Sequence, residues 1–85
     1  MNVMEELKKF VVSELAVEHD KKSIAPDEDL LMQGIIDSMG VLKLSSFIEE
    51  KFGVKVTDMD MVPENFQNLD SLTEFIKNKM WFYYK

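Results

Sequence analysis

The 85-residue chain contains no cysteine and no arginine, and only one histidine, one tryptophan, three glycines and two prolines. Without cysteine there is no disulfide framework, no thiolate metal site and no cysteine nucleophile. Positive charge is scarce: 16 Asp and Glu face 10 Lys, for a net charge of -6. That balance argues against nucleic acid as a partner, because phosphate backbones require a positive surface. No apolar run approaches the roughly 20 residues that a membrane-spanning helix needs. The opening stretch MNVMEELKKFVV carries acids and lysines at helical spacing and has no cleavable leader pattern. The expectation is a single domain over 1–85, soluble, cytoplasmic and monomeric.

What charge there is lies in one place. Residues 27–50 hold six acids (Asp27, Glu28, Asp29, Asp37, Glu49, Glu50) against Lys43, so this stretch carries -5 of the -6. A solvated acidic surface accounts for such a run. So does a docking face for basic partners, with electrostatic steering of association.

Hydrophobic spacing predicts helices. Val3, Leu7, Phe10, Val11 and Leu15 form one stripe of a helix over 2–17, with Asn2 as N-cap and Glu5 as its capping-box partner. Pro26, Asp27-Glu28-Asp29 and Gly34 mark a loop over 18–37. Its apolar islands Leu30, Leu31, Ile35 and Ile36 should pin it to the core. A second helix spans 38–52, with Ser38 as a natural N-cap and Gly53 as the stop. Val41, Leu44, Ile48 and Phe52 share its inner face. Met39, Leu42, Lys43, Ser46, Glu49 and Glu50 lie opposite. Val54-Lys55-Val56 is too short to found a sheet. Pro63 opens a short helix over 63–67. Asn68 caps a last helix over 68–82, striped by Leu69, Leu72, Phe75, Ile76 and Met80, which the aromatic tail Trp81-Phe82-Tyr83-Tyr84 extends. The fold class is an all-α small bundle of three main helices plus a short third one, with a long loop between the first two.

The informative motif is GIIDSMG at 34–40. A serine hydroxyl stands at the start of a helix, after an acid and a glycine-bearing loop. The helix dipole and its free N–H groups tolerate a phosphate ester there. Serine is also a standard cap, so the residues alone leave both roles open.

The stretch DLLMQGIIDSMGVLKLSSFIEEKFGVKV, with the order of elements around it, resembles acyl carrier and peptidyl carrier proteins. The resemblance runs from about Val3 to Ile76. It includes Asp29-Leu30, the approach from Gly34 to Ser38, Glu49-Glu50 before Phe52-Gly53, and the turn Pro63-Glu64-Asn65-Phe66. In that family an Asp-Ser-Leu or Asp-Ser-Met motif opens the second helix, and its serine receives 4′-phosphopantetheine from coenzyme A. The resemblance therefore implies that Ser38 is the attachment residue, flanked by Asp37 and Gly40. The thiol of the arm would carry cargo as a thioester, which a chain lacking cysteine cannot do by itself. Asp37 matches the acid that helps hold a metal ion in the transferase complex, and no metal resides in the carrier. Met39, Leu42, Glu49 and Glu50 match positions that partner enzymes touch. The implied partners are a phosphopantetheinyl transferase, an acyl- or aminoacyl-loading ligase, and downstream acyltransferases or synthases. Ser38-Met39-Gly40 is similar to D-alanyl, aminoacyl and specialised acyl carriers, whereas fatty-acid members commonly have a non-glycine residue at that place. Lys43 and Lys51 also stand where fatty-acid carriers often have acids. Gly40 would let the arm or a partner approach the backbone closely. Leu44, Ile48, Val62 and Phe66 would line an acyl pocket.

Other functions find less support. Ser38 lacks the G-x-S-x-G elbow of a serine hydrolase, and His19, among Glu18, Asp20 and Lys21, reads as surface, so the chain is expected not to be an enzyme. Asp27-Glu28-Asp29 lacks calcium-loop spacing, since Leu31 and Met32 interrupt it. The rival is a helical interaction module that docks basic partners through its acidic second helix and carries no prosthetic group.

Overall fold

The computed structural model describes residues 2–16 and 23–84, with residues 82–84 described by their backbone. His19 and the end of the first predicted helix lie outside the described residues. Every regular element among the described residues is helical: α1 (Val3–Phe10), a π-helical turn (Val11–Leu15), α2 (Ser38–Phe52), a 3-10 turn (Asp58–Asp60), α3 (Pro63–Phe66) and α4 (Leu69–Tyr84). The chain is an all-α bundle. No helix among the described residues is long and apolar enough to cross a membrane.

Asn2 caps α1 as its spacing predicts, its Oδ1 accepting from Glu5 N at 3.0 Å. The helix does not stay α. Its register widens at Val11, where Ala16 N donates five residues back to Val11 O at 2.8 Å. The Ser13 hydroxyl donates to Lys9 O at 2.7 Å on the outer face, a back-bond that competes with the ladder. The wider turn still directs Val11 and Ala16 into the core, while Leu15 packs against its edge. Period-3.6 reasoning does not foresee this turn.

The core joins Val3, Leu7 and Val11 to Leu44 and Ile48 of α2 and to Leu69, Leu72, Phe75 and Ile76 of α4. At its flank Phe10 stacks on Phe47 with centroids 4.3 Å apart, and Glu6 meets Lys51 at 3.7 Å. Val54 and Val56 are also buried, as single residues of an irregular return.

The long loop is pinned, as its apolar islands suggest. Leu30, Ile35 and Ile36 are buried. Ile35 N and Ile36 N both donate to Leu30 O, at 3.0 and 3.1 Å. Leu30 N reaches Gln67 O at 2.7 Å, and Asp70 N reaches Pro26 O at 3.0 Å, so the loop is stitched to the corner between α3 and α4. Gly34 turns the chain toward α2 at φ 74, a conformation that L residues rarely adopt.

Candidate functional site

The head of α2 is built by Asp37, not by Ser38. Asp37 has extended backbone (φ -112, ψ -169), and its Oδ1 accepts from Gly40 N at 2.8 Å. Asp37 is thus the N-cap, and Ser38 is the first helical residue. The expectation that Ser38 caps the helix is corrected here. A carboxylate one residue earlier supplies the same bond with a negative charge at the positive end of the dipole. The correction frees the serine. Ser38 is exposed, and among the described residues its hydroxyl makes no hydrogen bond.

Gly40 is buried, and the close approach that it permits is internal. A Cβ there would lie 3.4 Å from Asp37 Oδ1, 3.5 Å from Ile36 Cγ2 and 3.8 Å from Leu15 Cδ2. The glycine thereby seats the head of α2 on the loop and on the π turn, rather than clearing space for an outside group.

Around Ser38 the outer face of α2 is apolar for a surface. Met39 is 61% and Leu42 52% exposed. Glu49 and Glu50 are exposed farther along the helix. Glu49 also has a structural bond, its Oε2 accepting from Val56 N at 2.8 Å and holding the return of the chain after Gly53. Sequence spacing could not show that bond, because it depends on how the chain returns beyond the helix.

On the other side of α2 a groove of about 100 Å³ is lined by Leu31, Val41, Met61, Val62, Pro63 and Phe66. Val41 stands one turn along from Ser38. Val62 and Phe66 line the groove as the sequence suggests. Leu44 and Ile48 do not, being fully closed in the core at 0% exposure. Behind α3, Asp60 gathers the chain. Its Oδ2 accepts from Lys79 Nζ at 2.6 Å and from Thr57 N and Oγ1 at 2.9 Å each. Its carbonyl accepts from Asn65 Nδ2 at 2.8 Å. Burial pushes the Asp60 carboxyl up, but the bonds from Lys79 and Thr57 and the Lys79 charge outweigh it and hold the group below the ordinary carboxylate range. This cluster was missed in the sequence; only the Thr57–Asp60 capping-box spacing hints at it. Among the described residues no cluster of His, Asp and Glu could hold a metal ion.

Comparison with known proteins agrees with this architecture. Residues 5–76 match the family described as a phosphopantetheine attachment site. The acyl carrier protein of Solidesulfovibrio magneticus is 30% identical over 79 residues, covering 93% of this chain and 96% of that protein. The acyl carrier protein of Campylobacter lari is 29% identical over 79 residues, covering 92% and 96%. The chain belongs to the phosphopantetheine-bearing acyl carrier protein family. It is accordingly a carrier rather than an enzyme, and its cofactor is covalently attached 4′-phosphopantetheine.

Proposed function

We propose that Ser38 is the attachment residue and that the protein carries acyl groups between partner enzymes. The observation that supports this most is the exposed hydroxyl of Ser38, unbonded among the described residues, at the first turn of a 15-residue helix whose capping is done by its neighbour. Esterification there costs the fold no hydrogen bond. Ser38 Oγ would bond to the pantetheine-side phosphorus as that phosphorus loses its bond to the bridging pyrophosphate oxygen of coenzyme A; the hydroxyl proton would pass to a base of the transferase or to solvent, and adenosine 3′,5′-bisphosphate would leave. When bound, the arm supplies a thiol that holds cargo as a thioester. The residues of the chain do the rest. The opening N–H groups of α2 ahead of Gly40, whose own N–H is held by Asp37, would favour a phosphodiester on Ser38, since the first N–H groups of a helix have no partner within it. The Asp37 carboxylate lies next to Ser38 in the chain, where it could help hold a divalent ion brought by a transferase, which would supply charge neutralisation at the phosphate.

Met39, Leu42 and Glu50, with Glu49 beside them, form the face on which a phosphopantetheinyl transferase, a loading ligase and downstream acyltransferases or synthases dock, in a cytoplasmic biosynthetic route. The test is intact mass after incubation with coenzyme A, magnesium and a broad-specificity phosphopantetheinyl transferase. Gain of one phosphopantetheinyl group, absent in Ser38→Ala, is expected. No gain in a folded sample beside a reacting control carrier would leave a helical interaction module.

A further inference from the structure

We propose that Met39 is a reversible oxidation site, at which a hydroperoxide turns the thioether into a sulfoxide and thereby weakens docking at Ser38; this rests on the reading of Ser38 and of the docking face above. The chain has no cysteine, so methionine thioethers are its only sulfur groups. Exposure decides which of them react. Met4, Met61 and Met80 pack against the core, whereas Met32, Met39 and Met59 are 85%, 61% and 88% exposed. Position then decides which reaction matters. Met32 lies in the long loop, its N–H donating to Asp29 Oδ1 at 2.9 Å. Met59 lies in the 3-10 turn, between Asp58 and Asp60. Met39 is in the first turn of α2, directly after Ser38 and three residues before Leu42, itself 52% exposed. Residues three apart are neighbours on a helix surface, so the two side chains make one apolar patch beside the serine.

The step is a two-electron oxygen transfer. The sulfur lone pair bonds to the terminal oxygen of the hydroperoxide as the O–O bond breaks. The proton of that oxygen passes to the departing oxygen, which leaves as an alcohol or, from hydrogen peroxide, as water. Sulfur is oxidised and the peroxide reduced. The product keeps the length of the side chain but carries a strongly polar oxygen where the thioether was apolar. In the free carrier that oxygen lies in water, because Met39 is exposed, so the fold loses nothing. Under a partner surface that covers Met39 and Leu42, the same oxygen gives up its water without a donor in return, and docking weakens about tenfold or more. A dithiol-dependent reductase reverses the step: two thiols become a disulfide, and the oxygen leaves as water.

The test uses the full unloaded chain, since an attached thiol would itself react with peroxide. The protein is treated with hydrogen peroxide, the peroxide is removed with catalase, and each methionine is followed by peptide mass. The readouts are the urea midpoint and the rate of loading by a phosphopantetheinyl transferase at carrier concentrations well below saturation. Met32, Met39 and Met59 are expected to oxidise several-fold faster than Met4, Met61 and Met80. Loading should then fall about tenfold while the urea midpoint stays in place. The comparison is the ratio of treated to untreated rate within each variant. In Met39→Leu that ratio should stay near one. In the double variant Met32→Leu, Met59→Leu it should fall as in the parent. A methionine sulfoxide reductase with dithiothreitol should restore the parent rate. Failure of the untreated parent to load counts against the reading of Ser38. Loading that is equal before and after treatment, or a ratio that falls as far in Met39→Leu, overturns the role of Met39. Met39 oxidising no faster than the packed methionines overturns it as well, and mass shows this whether or not the protein loads.

Discussion

The cap of α2 and the attachment residue proposed above are adjacent, so two alanine substitutions should separate the two roles. Asp37→Ala removes the acceptor of Gly40 N at 2.8 Å, in a partly buried setting. Loss of such a cap costs about 1 kcal/mol, and the lost negative charge at the dipole brings the total toward about 1.5 kcal/mol. Ser38→Ala removes an exposed hydroxyl without a bond, so its cost should stay within about 0.5 kcal/mol. At a urea slope of about 1 kcal/mol/M, Asp37→Ala lowers the midpoint by about 1 to 1.5 M, while Ser38→Ala barely moves it. In thermal melts the first should lose about 4–8 °C per kcal/mol. Asp37→Asn, which keeps an oxygen acceptor and drops the charge, should fall between them. The measurement is urea denaturation of the three unloaded variants beside the parent, followed by circular dichroism. A Ser38→Ala midpoint as low as that of Asp37→Ala would return the cap to Ser38 and refute the separation.

Asp60 gives a pH prediction. Its carboxyl is held below its ordinary value, so its stabilisation is complete above the ordinary carboxylate range and is lost as pH falls through the folded value. The charged groups facing it are Lys79 and Glu74 of α4 and Glu64 of α3. The midpoint difference between the parent and Asp60→Asn should be constant from pH 7 to about 5 and shrink below about pH 4; a difference that grows there contradicts the sign. Glu49→Ala should cost about 1 kcal/mol through the lost bond from Val56 N, and Glu50→Ala almost nothing, by urea midpoints. Glu50→Lys should slow association with a transferase most at low salt in stopped-flow mixing, and an unchanged rate would make Glu50 ordinary surface. Gly34→Ala should cost about 1 to 2 kcal/mol from its φ of 74 alone, since space around it is open; equal stability by calorimetry would count against that strain.

What the sequence revealed follows from the range of each interaction. The stripes of α1, α2 and α4 repeat locally, so spacing found Leu7, Leu44, Ile48, Leu72 and Ile76 in the core. The caps Asn2 and Asn68 each act within three residues, and both hold, Asn68 Oδ1 accepting from Ser71 N at 2.7 Å. The cap of α2 was misplaced by one residue because Asp and Ser are equally good caps, and only backbone geometry distinguishes them. The π turn escaped because a five-residue repeat over so short a stretch leaves the apolar pattern nearly unchanged. Glu49 to Val56 and Asp60 to Lys79 escaped because partners meet across a fold that pattern alone does not position. The carrier family was legible by resemblance; the groove's lining was legible only in part, with Val62 and Phe66 named but Leu31, Val41, Met61 and Pro63 not.

The two stitches between the loop and the corner of α3 and α4 have a kinetic consequence. Leu30 to Gln67 and Pro26 to Asp70 join segments far apart in the chain, with all of α2 between them. Closing such a span costs about 3 kcal/mol in chain entropy, which the first bond bears almost alone. The second then forms nearly free, and neither persists long without the other. The approach to Ser38 should accordingly be among the last parts to assemble and the first to come apart, as one cooperative unit whose opening leaves the helical stack of α1 and α4 standing. The segment that leads into α2 is thus expected to open and close as one unit, set by two bonds, while the packing of α1 against α4 stays intact.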